Sequence, residues 1–368
     1  MSIKKNVLIL QIVLGIMCIF IMIVIGSGQK ETLTENRHQI LSDKVIQARV
    51  FIDFQNLGTE FNIVKTFHQT KLFHITEDLT TYLIDSKRNR ILEINNSGKL
   101  EKIIGGPGQR EEDLYYPLAI TANDNIVAIV NNSGSEIKFF RRSGALEKIF
   151  SKKNSGFQPV IILRSRNEFI TSVRNFSRSI EEMNNEPLFS LFDYEFNQIK
   201  SFGRVIKCSS LIAHLHFNLI ELCMSDKYVF GAFIFLPIIF GFDINNVNEI
   251  LYRDLSIMQI PEIEAGINRQ KEIKADTPEK QTKPNEFKAV RFNQGVAFYK
   301  GILYYLRANH KFLLFDQKGE FLGRMYVHLN NENITPYIDS FVILPSGKMY
   351  GLVSHPENKA TFIFEAVL

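Results

Sequence analysis

The segment Ile103–Pro117, "IIGGPGQREEDLYYP", is the first place where the sequence offers a chemical motif, because three glycines and two prolines surround a charged run. A phosphate-binding loop needs a glycine-rich turn that opens a helix, usually with a lysine followed by serine or threonine. Here the glycines lead into three consecutive acidic residues, Glu111–Asp113, which would repel a phosphate, and a strand pattern follows. The segment therefore predicts a hinge between two structural units, with Pro117 fixing the entry into the next strand.

Basic residues in predicted turns are a second candidate for chemistry. Long irregular loops on one face of a rigid scaffold are where binding residues concentrate. We expect four segments on one such face: the joint Gly105–Pro117, the turn Asn131–Glu136, the turn Arg174–Pro187 and the insert Glu262–Phe287. The predicted ligand-binding residues are Arg88, Arg110, Arg174, Arg178, Arg307 and His310. An anionic polymer or a peptide would suit this face, and the alternative is a scatter of solvated arginines with no ligand.

No metal site, cofactor or catalytic set is predicted. His214 and His216 are two residues apart on an expected strand and would face the same way, but no carboxylate accompanies them at a fitting spacing. The expected innermost strands contain "LFHITED", "LAITAND", "VIILRSR" and "GVAFYKG", which are mostly apolar and repeat no carboxylate. A catalytic triad is assembled in space and cannot be found from spacing. The pattern favours a binding protein and leaves enzymatic activity open.

Charge and cysteine content narrow the choice of partners. Lys and Arg exceed Asp and Glu by only four residues, and no dense basic block is present, so nucleic acid is not an expected partner. Cys208 and Cys223 either close a small disulfide loop, worth about 3 kcal/mol on a chain-entropy model, or are two buried thiols. The sequence leaves both interpretations open.

An apolar run near the N-terminus predicts export. Lys4 and Lys5 precede the nineteen-residue run Val7–Ile25, which as a helix would span about 28 Å, close to the hydrocarbon thickness of a bilayer. Flanking lysines stay in the cytoplasm, so the chain after Gly28 is expected on the other side. The run is longer than a usual signal-peptide core, which favours an uncleaved anchor, with a cleaved signal peptide as the alternative.

These features divide the chain into three predicted segments and predict where in the cell the protein lies. Residues 1–28 are the membrane anchor or signal segment, residues 29–44 a polar stalk, and residues 45–368 the body. We expect a single-pass protein of the bacterial cell membrane with its body on the non-cytoplasmic side.

The body has an internal repeat. An apolar residue followed by a polar one ends a recurring strand at Ile94-Asn95, Phe140-Arg141, Phe192-Asp193, Phe242-Asp243, Phe315-Asp316 and Phe364-Glu365. The spacings are 46, 52, 50, 73 and 49 residues. A period of 45 to 50 residues built from four short strands is typical of a β-propeller blade, so the fold class predicted is all-β, a six-bladed β-propeller with an N-terminal transmembrane helix.

Three segments complete this prediction. The long spacing contains a charged inserted loop at about 262–287, without strand periodicity. The chain ends before the last blade can form a fourth strand, so the N-terminal segment Val45–Phe54 is expected to supply that strand and close the ring. The run Val229–Asp243 is too short to cross a membrane and is expected to form strand, turn and strand.

The joint and the strand before it also resemble a known family. Gly106, Gly108, Tyr116 and Pro117 match a joint G-x-G-P-G-E-aromatic-x-x-P, with Gln109 at the usual glutamate position. The blade core D-x-x-x-N-x-I-x-x-[FI]-[DN]-x-x-G is matched by Asp85, Asn89, Ile91, Ile94, Asn95 and Gly98. The chain thus resembles NHL-repeat propellers, and more closely the exported bacterial six-bladed β-propeller proteins. The motif is sharp in the first two blades only, and the resemblance implies architecture more than activity.

Two functions from different classes follow. The favoured one is a membrane-anchored envelope module that binds a peptide, protein or glycan. The alternative is a metal-dependent propeller hydrolase or lyase similar to gluconolactonases or streptogramin lyases, with a divalent cation in the central channel. Such an enzyme would bring Glu, Asn, Asp or His from several blades to the mouth of the inner strands.

Overall fold

Five of the six recurring apolar–polar pairs end a strand and precede a turn, whereas Phe364-Glu365 lies inside the last strand. Asn95 Oδ1 accepts the backbone N–H groups of Ser97 and Lys99, both at 3.0 Å. Asp193 and Asp316 do the same for the residues two and four positions on, at 2.8–2.9 Å. A short side-chain acceptor that satisfies turn N–H groups in this way favours Asn and Asp at the position. The pair therefore recurs in these units because they need the same kind of turn.

A register shift accompanies the apolar member of these pairs. The pairing of the third with the fourth strand shifts at Ile94, Phe140, Phe192, Phe242 and Phe315. A β-bulge at a fixed place increases the local twist of each sheet, which suits sheets arranged around a common centre.

The structure is a computed structural model that describes residues 43–57, 71–151, 154–165, 167–275, 289–307, 311–329, 336–354 and 361–368. The strands of the first half are β1 (Lys44–Asp53), β2 (Phe73–Ile75), β3 (Thr81–Asp85), β4 (Arg90–Ile94), β5 (Leu100–Gly105), β6 (Ala119–Ala122), β7 (Ile126–Asn131), β8 (Glu136–Arg141), β9 (Leu146–Ser151), β10 (Ser155–Leu163), β11 (Glu168–Asn175), β12 (Pro187–Asp193) and β13 (Gln198–Arg204). The strands of the second half are β14 (Ile220–Met224), β15 (Tyr228–Phe233), β16 (Ile238–Asp243), β17 (Glu249–Asp254), β18 (Gly295–Tyr299), β19 (Ile302–Leu306), β20 (Phe312–Asp316), β21 (Phe321–Leu329), β22 (Ile338–Ile343), β23 (Lys348–Ser354) and β24 (Thr361–Val367).

These strands form antiparallel units of four. The strands β2–β5, β6–β9, β10–β13 and β14–β17 are four separate sheets, each in sequence order. An eight-stranded sheet has the order β18-β19-β20-β21-β1-β24-β23-β22. The first strands of successive units contact one another in a cycle, β2, β6, β10, β14, β18, β22 and back to β2. This is the arrangement of a β-propeller.

The N-terminal strand β1 supplies the outermost strand of the last unit and closes the ring, as the sequence predicts. β1 pairs in parallel with β21 and antiparallel with β24, with Arg49 opposite Glu365. Ile46 and Ala48 are buried in the apolar cluster that includes Phe312, Val327 and Phe364. Ile52 is buried in the next cluster, between the last unit and the first. β1 therefore covers two strand edges and contributes to two cores.

Three α-helices lie between strands in the described part of the chain: α1 (Ile180–Met183), α2 (Leu211–Phe217) and α3 (Pro261–Ala275). The prediction of an inserted irregular loop at about 262–287 is wrong for its first half, which is α3, and the remainder to Phe287 lies outside the described residues. Glu262 anchors this helix to the unit of β18–β21, because its carboxylate accepts two hydrogen bonds from Arg324 at 2.8 and 3.0 Å. The run Val229–Asp243 forms β15, a turn and β16, as predicted.

The two cysteines of the body are free thiols, which decides between the alternatives that the sequence left open. Cys208 lies before α2 and Cys223 lies in β14. Burial raises the pKa of the Cys208 thiol to about 11 and that of Cys223 to about 12, so both stay protonated at neutral pH.

The predicted localisation needs correction. In the ranges that the structure describes, no helix combines the length and the apolar character that a membrane crossing requires. The longest helix in those ranges, α3, has 15 residues and includes Glu262, Glu264, Arg269 and Lys271. This finding contradicts the predicted single-pass localisation, which is not retained. The segment 1–28 that carried the prediction, and the stalk up to residue 42, lie outside the described residues.

Because β1 closes the ring, substitutions at a buried and at an exposed residue of this strand should change the free energy of unfolding by different amounts. Ile52 is 1% exposed in the core and Val50 is 41% exposed on the same strand. We expect Ile52→Ala to lower the free energy of unfolding by about 2–4 kcal/mol, since it leaves a cavity, and Val50→Ala to lower it by less than about 0.5 kcal/mol. Urea unfolding followed by circular dichroism measures both. Equal effects of the two substitutions would contradict the closure of the ring through this strand.

Candidate functional site

The glycine-rich joint connects the first two sheets, as predicted. β5 ends at Gly105, whose φ of 68° lies in the left-handed region, and β6 begins at Ala119. The Asp113 carboxylate accepts hydrogen bonds from the backbone N–H of Arg110 at 2.8 Å and from its guanidinium at 2.9 Å. These hydrogen bonds lower the pKa of Asp113. Lys138 Nζ then donates to the backbone oxygens of Glu111 and Asp113, both at 2.6 Å. Arg110 and Asp113 of the joint are therefore paired with each other, and Lys138 binds two backbone oxygens of the same segment.

The joint presents two tyrosines to a neighbouring turn. Asn131 Oδ1 accepts the N–H of Tyr115 at 2.9 Å, and the Tyr115 oxygen accepts the N–H of Asn132 at 2.6 Å. Asn89 Oδ1 accepts the N–H of Tyr116 at 3.0 Å. Both tyrosine side chains remain about half exposed. The joint and the turn after β7 are thus fixed side by side, with aromatic rings left at the surface.

A cleft opens beside these tyrosines. It encloses about 430 Å³ and is lined by β10 and β11, by the segments before β6 and after β7, and by α2. Its walls are apolar: Leu118, Phe157, Leu215 and Leu219. Its exposed rim carries the rings of Tyr116 and Phe176. We call this the joint cleft.

The rim of the joint cleft depends on a glycine in β10. Gly156 pairs with Arg174 across the sheet, and the ring of Phe176 lies directly over it. A Cβ at position 156 would stand 2.5 Å from the Phe176 ring, closer than such atoms approach one another. The absence of a side chain at this position therefore allows the ring to cover the edge of the cleft.

The joint cleft also contains two buried polar side chains. Arg174 is 1% exposed, and its terminal nitrogens donate to the backbone oxygens of Pro187 and Leu188 at 3.0 and 3.1 Å. Its Nε has no hydrogen-bond partner, and neither has the amide nitrogen or oxygen of Gln158, which is 5% exposed. Burial lowers the pKa of Arg174 to about 10, so the guanidinium is charged at neutral pH.

Helix α2 forms one wall of the joint cleft. The strand predicted around His214 and His216 is therefore wrong, because both residues lie on this helix. Ser210 caps its start by accepting the N–H of Ala213 at 3.3 Å. Asn218 fixes its end, since its side chain donates to the oxygens of Ile206 and His214 at 3.0 Å. On a helix, residues two apart do not face each other, so the two histidines do not form a pair. His214 is fully buried, whereas His216 contacts the ring of Phe235.

The six predicted ligand-binding residues do not form one exposed face. Arg307 is buried and donates to the backbone oxygens of Phe292 and Glu262, at 2.7 and 3.0 Å. Arg88 lies 3.7 Å from the carboxylate of Asp85. His310 is outside the described residues. The ligand-binding role of these three and of Arg110 stays a prediction.

Arg174 and Arg178 are brought together at one end of the third sheet. Arg178 lies 3.3 Å from a carboxylate oxygen of Glu186, and the charge of Glu186 also acts on Arg174. Of the four segments expected on one face, the joint, the turn after β7 and the turn after β11 meet at the joint cleft. The fourth segment, as far as it is described, lies against β21 instead.

Sequence reasoning missed a second group of charged residues on the innermost strands. Glu221 in β14 and Asp339 in β22 are buried, and their charges act on Lys71 and Arg291. Burial lowers the pKa of both cations, and the carboxylates oppose this effect. The strands quoted from the sequence did not include β14 or β22, so these acids went unnoticed. In the described part of the chain, no three His, Cys, Asp or Glu side chains are grouped in a way that could hold a metal ion.

Comparison with known proteins shows similarity of fold only. No family model matches the sequence, and no curated protein is significantly similar to it. A putative exported protein from Bacteroides fragilis is similar in structure at 9% identity, with a TM-score of 0.50 over 88% of this chain and 100% of that chain. Regucalcin from Agrobacterium tumefaciens, a calcium-binding protein, is similar at 8% identity and a TM-score of 0.50, over 88% and 97% of the chains. These similarities agree with the propeller arrangement of the sheets.

Burial of His214 predicts a loss of stability in mild acid. Burial, and then the charge of Arg174, lowers the pKa of His214 to about 4. The unfolded chain takes up a proton below pH 6.5, whereas the folded protein does so only below about pH 4, so stability falls as the pH drops through this range. We expect His214 to account for about 2 kcal/mol of the stability lost between pH 7 and pH 5.

The measurement is urea unfolding at pH 7 and pH 5 for wild type, His214→Gln and His216→Gln. The first variant should lose less stability than wild type between the two pH values. The second variant keeps the buried His214 and should retain that contribution. Identical pH dependence in all three proteins would contradict the assignment to His214.

Proposed function

We propose that the chain is a six-bladed, NHL-like β-propeller that binds a protein partner through the joint cleft. Six four-stranded units support the blade count when β1 is assigned to the last one. A turn capped by a side-chain oxygen recurs after the third strand of four units, at Asn95, Asp193, Asp243 and Asp316. The sharp match to the NHL-type joint around Gly106 and Pro117 supports the subtype. Blades of this kind hold their connecting loops rigidly, which is what a binding surface needs.

The observation that carries the proposed function is the apolar cleft with its aromatic rim. A volume of about 430 Å³ lies in the range of roughly 300–1,000 Å³ that is usual for ligand pockets. Tyr115, Tyr116 and Phe176 are each more than two-fifths exposed around the joint cleft. Exposed aromatic residues beside a concave apolar surface are typical of protein interfaces, where one anchoring side chain fills a pocket.

The composition of the cleft favours a protein segment over a glycan. Leucine and phenylalanine side chains line the walls, and they match an apolar amino-acid side chain rather than the hydroxyl groups of a sugar. The hydrolase or lyase alternative stays open, and no observation on the described residues favours it. We therefore assign a binding function and no reaction.

Filling the cleft should abolish binding. Leu215 lines the joint cleft, while Leu211, one turn earlier on α2, does not and is exposed. We use peptides selected by phage display against the wild-type protein. We expect Leu215→Trp to lower their affinity at least tenfold, because the indole occupies the space of the anchoring side chain. Leu211→Trp is the matched control and should bind as wild type does. Fluorescence anisotropy of labelled peptides measures both.

The chain contains no tryptophan, so each variant carries a single one whose emission reports on folding. Circular dichroism provides a second check on the fold. Selected peptides that bind Leu215→Trp as tightly as wild type would contradict a binding role for the joint cleft.

A further inference from the structure

Unpartnered hydrogen-bonding atoms on Arg174 and Gln158 distinguish the joint cleft from a purely apolar groove. The two side chains are 1% and 5% exposed, and both line the cleft. Buried polar atoms in folded proteins nearly always have a partner, so atoms without one mark a place where a ligand or water completes the set. Here the atoms are one N–H of Arg174, and one donor and one acceptor on Gln158. The cleft is thus prepared for a ligand with its own polar end.

The charge at this end of the cleft is positive. The terminal nitrogens of Arg174 donate to three neutral backbone oxygens, those of Val173, Pro187 and Leu188. The carboxylate whose charge acts on Arg174 is Glu186, which also pairs with Arg178. Two guanidinium groups therefore share one carboxylate. A second carboxylate beside Arg174 would complete the charge balance and accept the free N–H.

The amide of Gln158 indicates what kind of carboxylate fits. Its nitrogen donates and its oxygen accepts, and both are free. The C-terminal residue of a polypeptide presents a carboxylate and, on the same residue, a peptide N–H. A free fatty acid has no such N–H. An aspartate or glutamate side chain would bring its polar backbone between the carboxylate and the walls of Leu215 and Leu219.

We propose that the joint cleft recognises the free C-terminus of a partner polypeptide whose last residue is apolar. Arg174 and Gln158 bind the terminal carboxylate, the oxygen of Gln158 accepts the last peptide N–H, and the walls around Leu215 and Leu219 hold the last side chain. This inference rests on the proposed function of the cleft. It assigns Arg174, among the arginines expected to bind a ligand, a defined role as a buried carboxylate receptor.

The test uses a fluorescein-labelled pool of heptapeptides, randomised except for Leu, Phe or Met as the last residue. One pool ends in a free carboxylate and the other in a carboxamide. We expect the free-acid pool to bind wild type at least tenfold more tightly than the amide pool, since a charge-assisted hydrogen bond is lost in the amide. Unlabelled 4-phenylbutyrate, which has a carboxylate and a ring but no peptide N–H, should compete weakly.

Gln158→Glu provides the matched substitution. The introduced carboxylate has almost the shape of the amide and lines the same cleft as Arg174, so it should occupy the place of the ligand's carboxylate. We expect this variant to lose at least tenfold in affinity for the free-acid pool and to melt at a higher temperature than wild type. Gln198→Glu, an exposed change on the same sheet outside the joint cleft, should alter neither property.

The outcomes separate this inference from the proposed function. Equal binding of both pools, abolished by Leu215→Trp, would keep the cleft as a binding site and overturn its recognition of a C-terminus. Competition by 4-phenylbutyrate as strong as that of the peptides would overturn the polypeptide as occupant. Failure of both pools to bind would overturn the inference and the proposed function together.

Discussion

The pairing of β1 with both β21 and β24 is the constraint on which the rest of the structure depends. It joins a strand from the beginning of the described chain to the two strands that would otherwise be open edges. Ile46 and Ala48 pack into one core, and Ile52 packs into the next. The ring of sheets is therefore closed by hydrogen bonds and by burial at the same place. The contact of β22 with β2 also joins the last unit to the first, whereas the other contacts between first strands join units that follow one another in sequence.

Closure also fixes the joint cleft, although β1 does not contact it. The cleft is built where the second, third and fourth units meet, from a joint, two turns and the short helix α2. Each of these segments is attached to a sheet whose position is set by its neighbours around the ring. Rigid placement allows Arg174 to remain buried and charged with one N–H unused, because the surrounding backbone cannot rearrange to satisfy it.

Much of the fold could be predicted from the sequence because its determinants are local and repeated. The Phe-Asp pairs report a turn that needs a side-chain acceptor, and the glycines of the joint report left-handed backbone. Arg174 lines the joint cleft, but its burial depends on the backbone oxygens of β12, which no local pattern shows. The sequence predicts a strand where α2 lies, because "LIAHLHF" is short and mixes apolar residues with histidine. Arg307 is buried against Phe292 and helix α3, and the charge of Glu221 acts on Lys71 from the first unit. Sequence spacing reveals neither contact.

Native-state hydrogen exchange tests most directly whether closure by β1 holds the cleft together. If it does, the amides of β1, of β24 and of β10 beside the joint cleft exchange through one opening, with the same free energy and the same dependence on denaturant. Exchange of the β1 amides at lower free energy, while those of β10 keep the protection of the global transition, would show that the ring and the cleft stand without this strand. That result would contradict the claim that closure by β1 holds the ring of sheets and the joint cleft together.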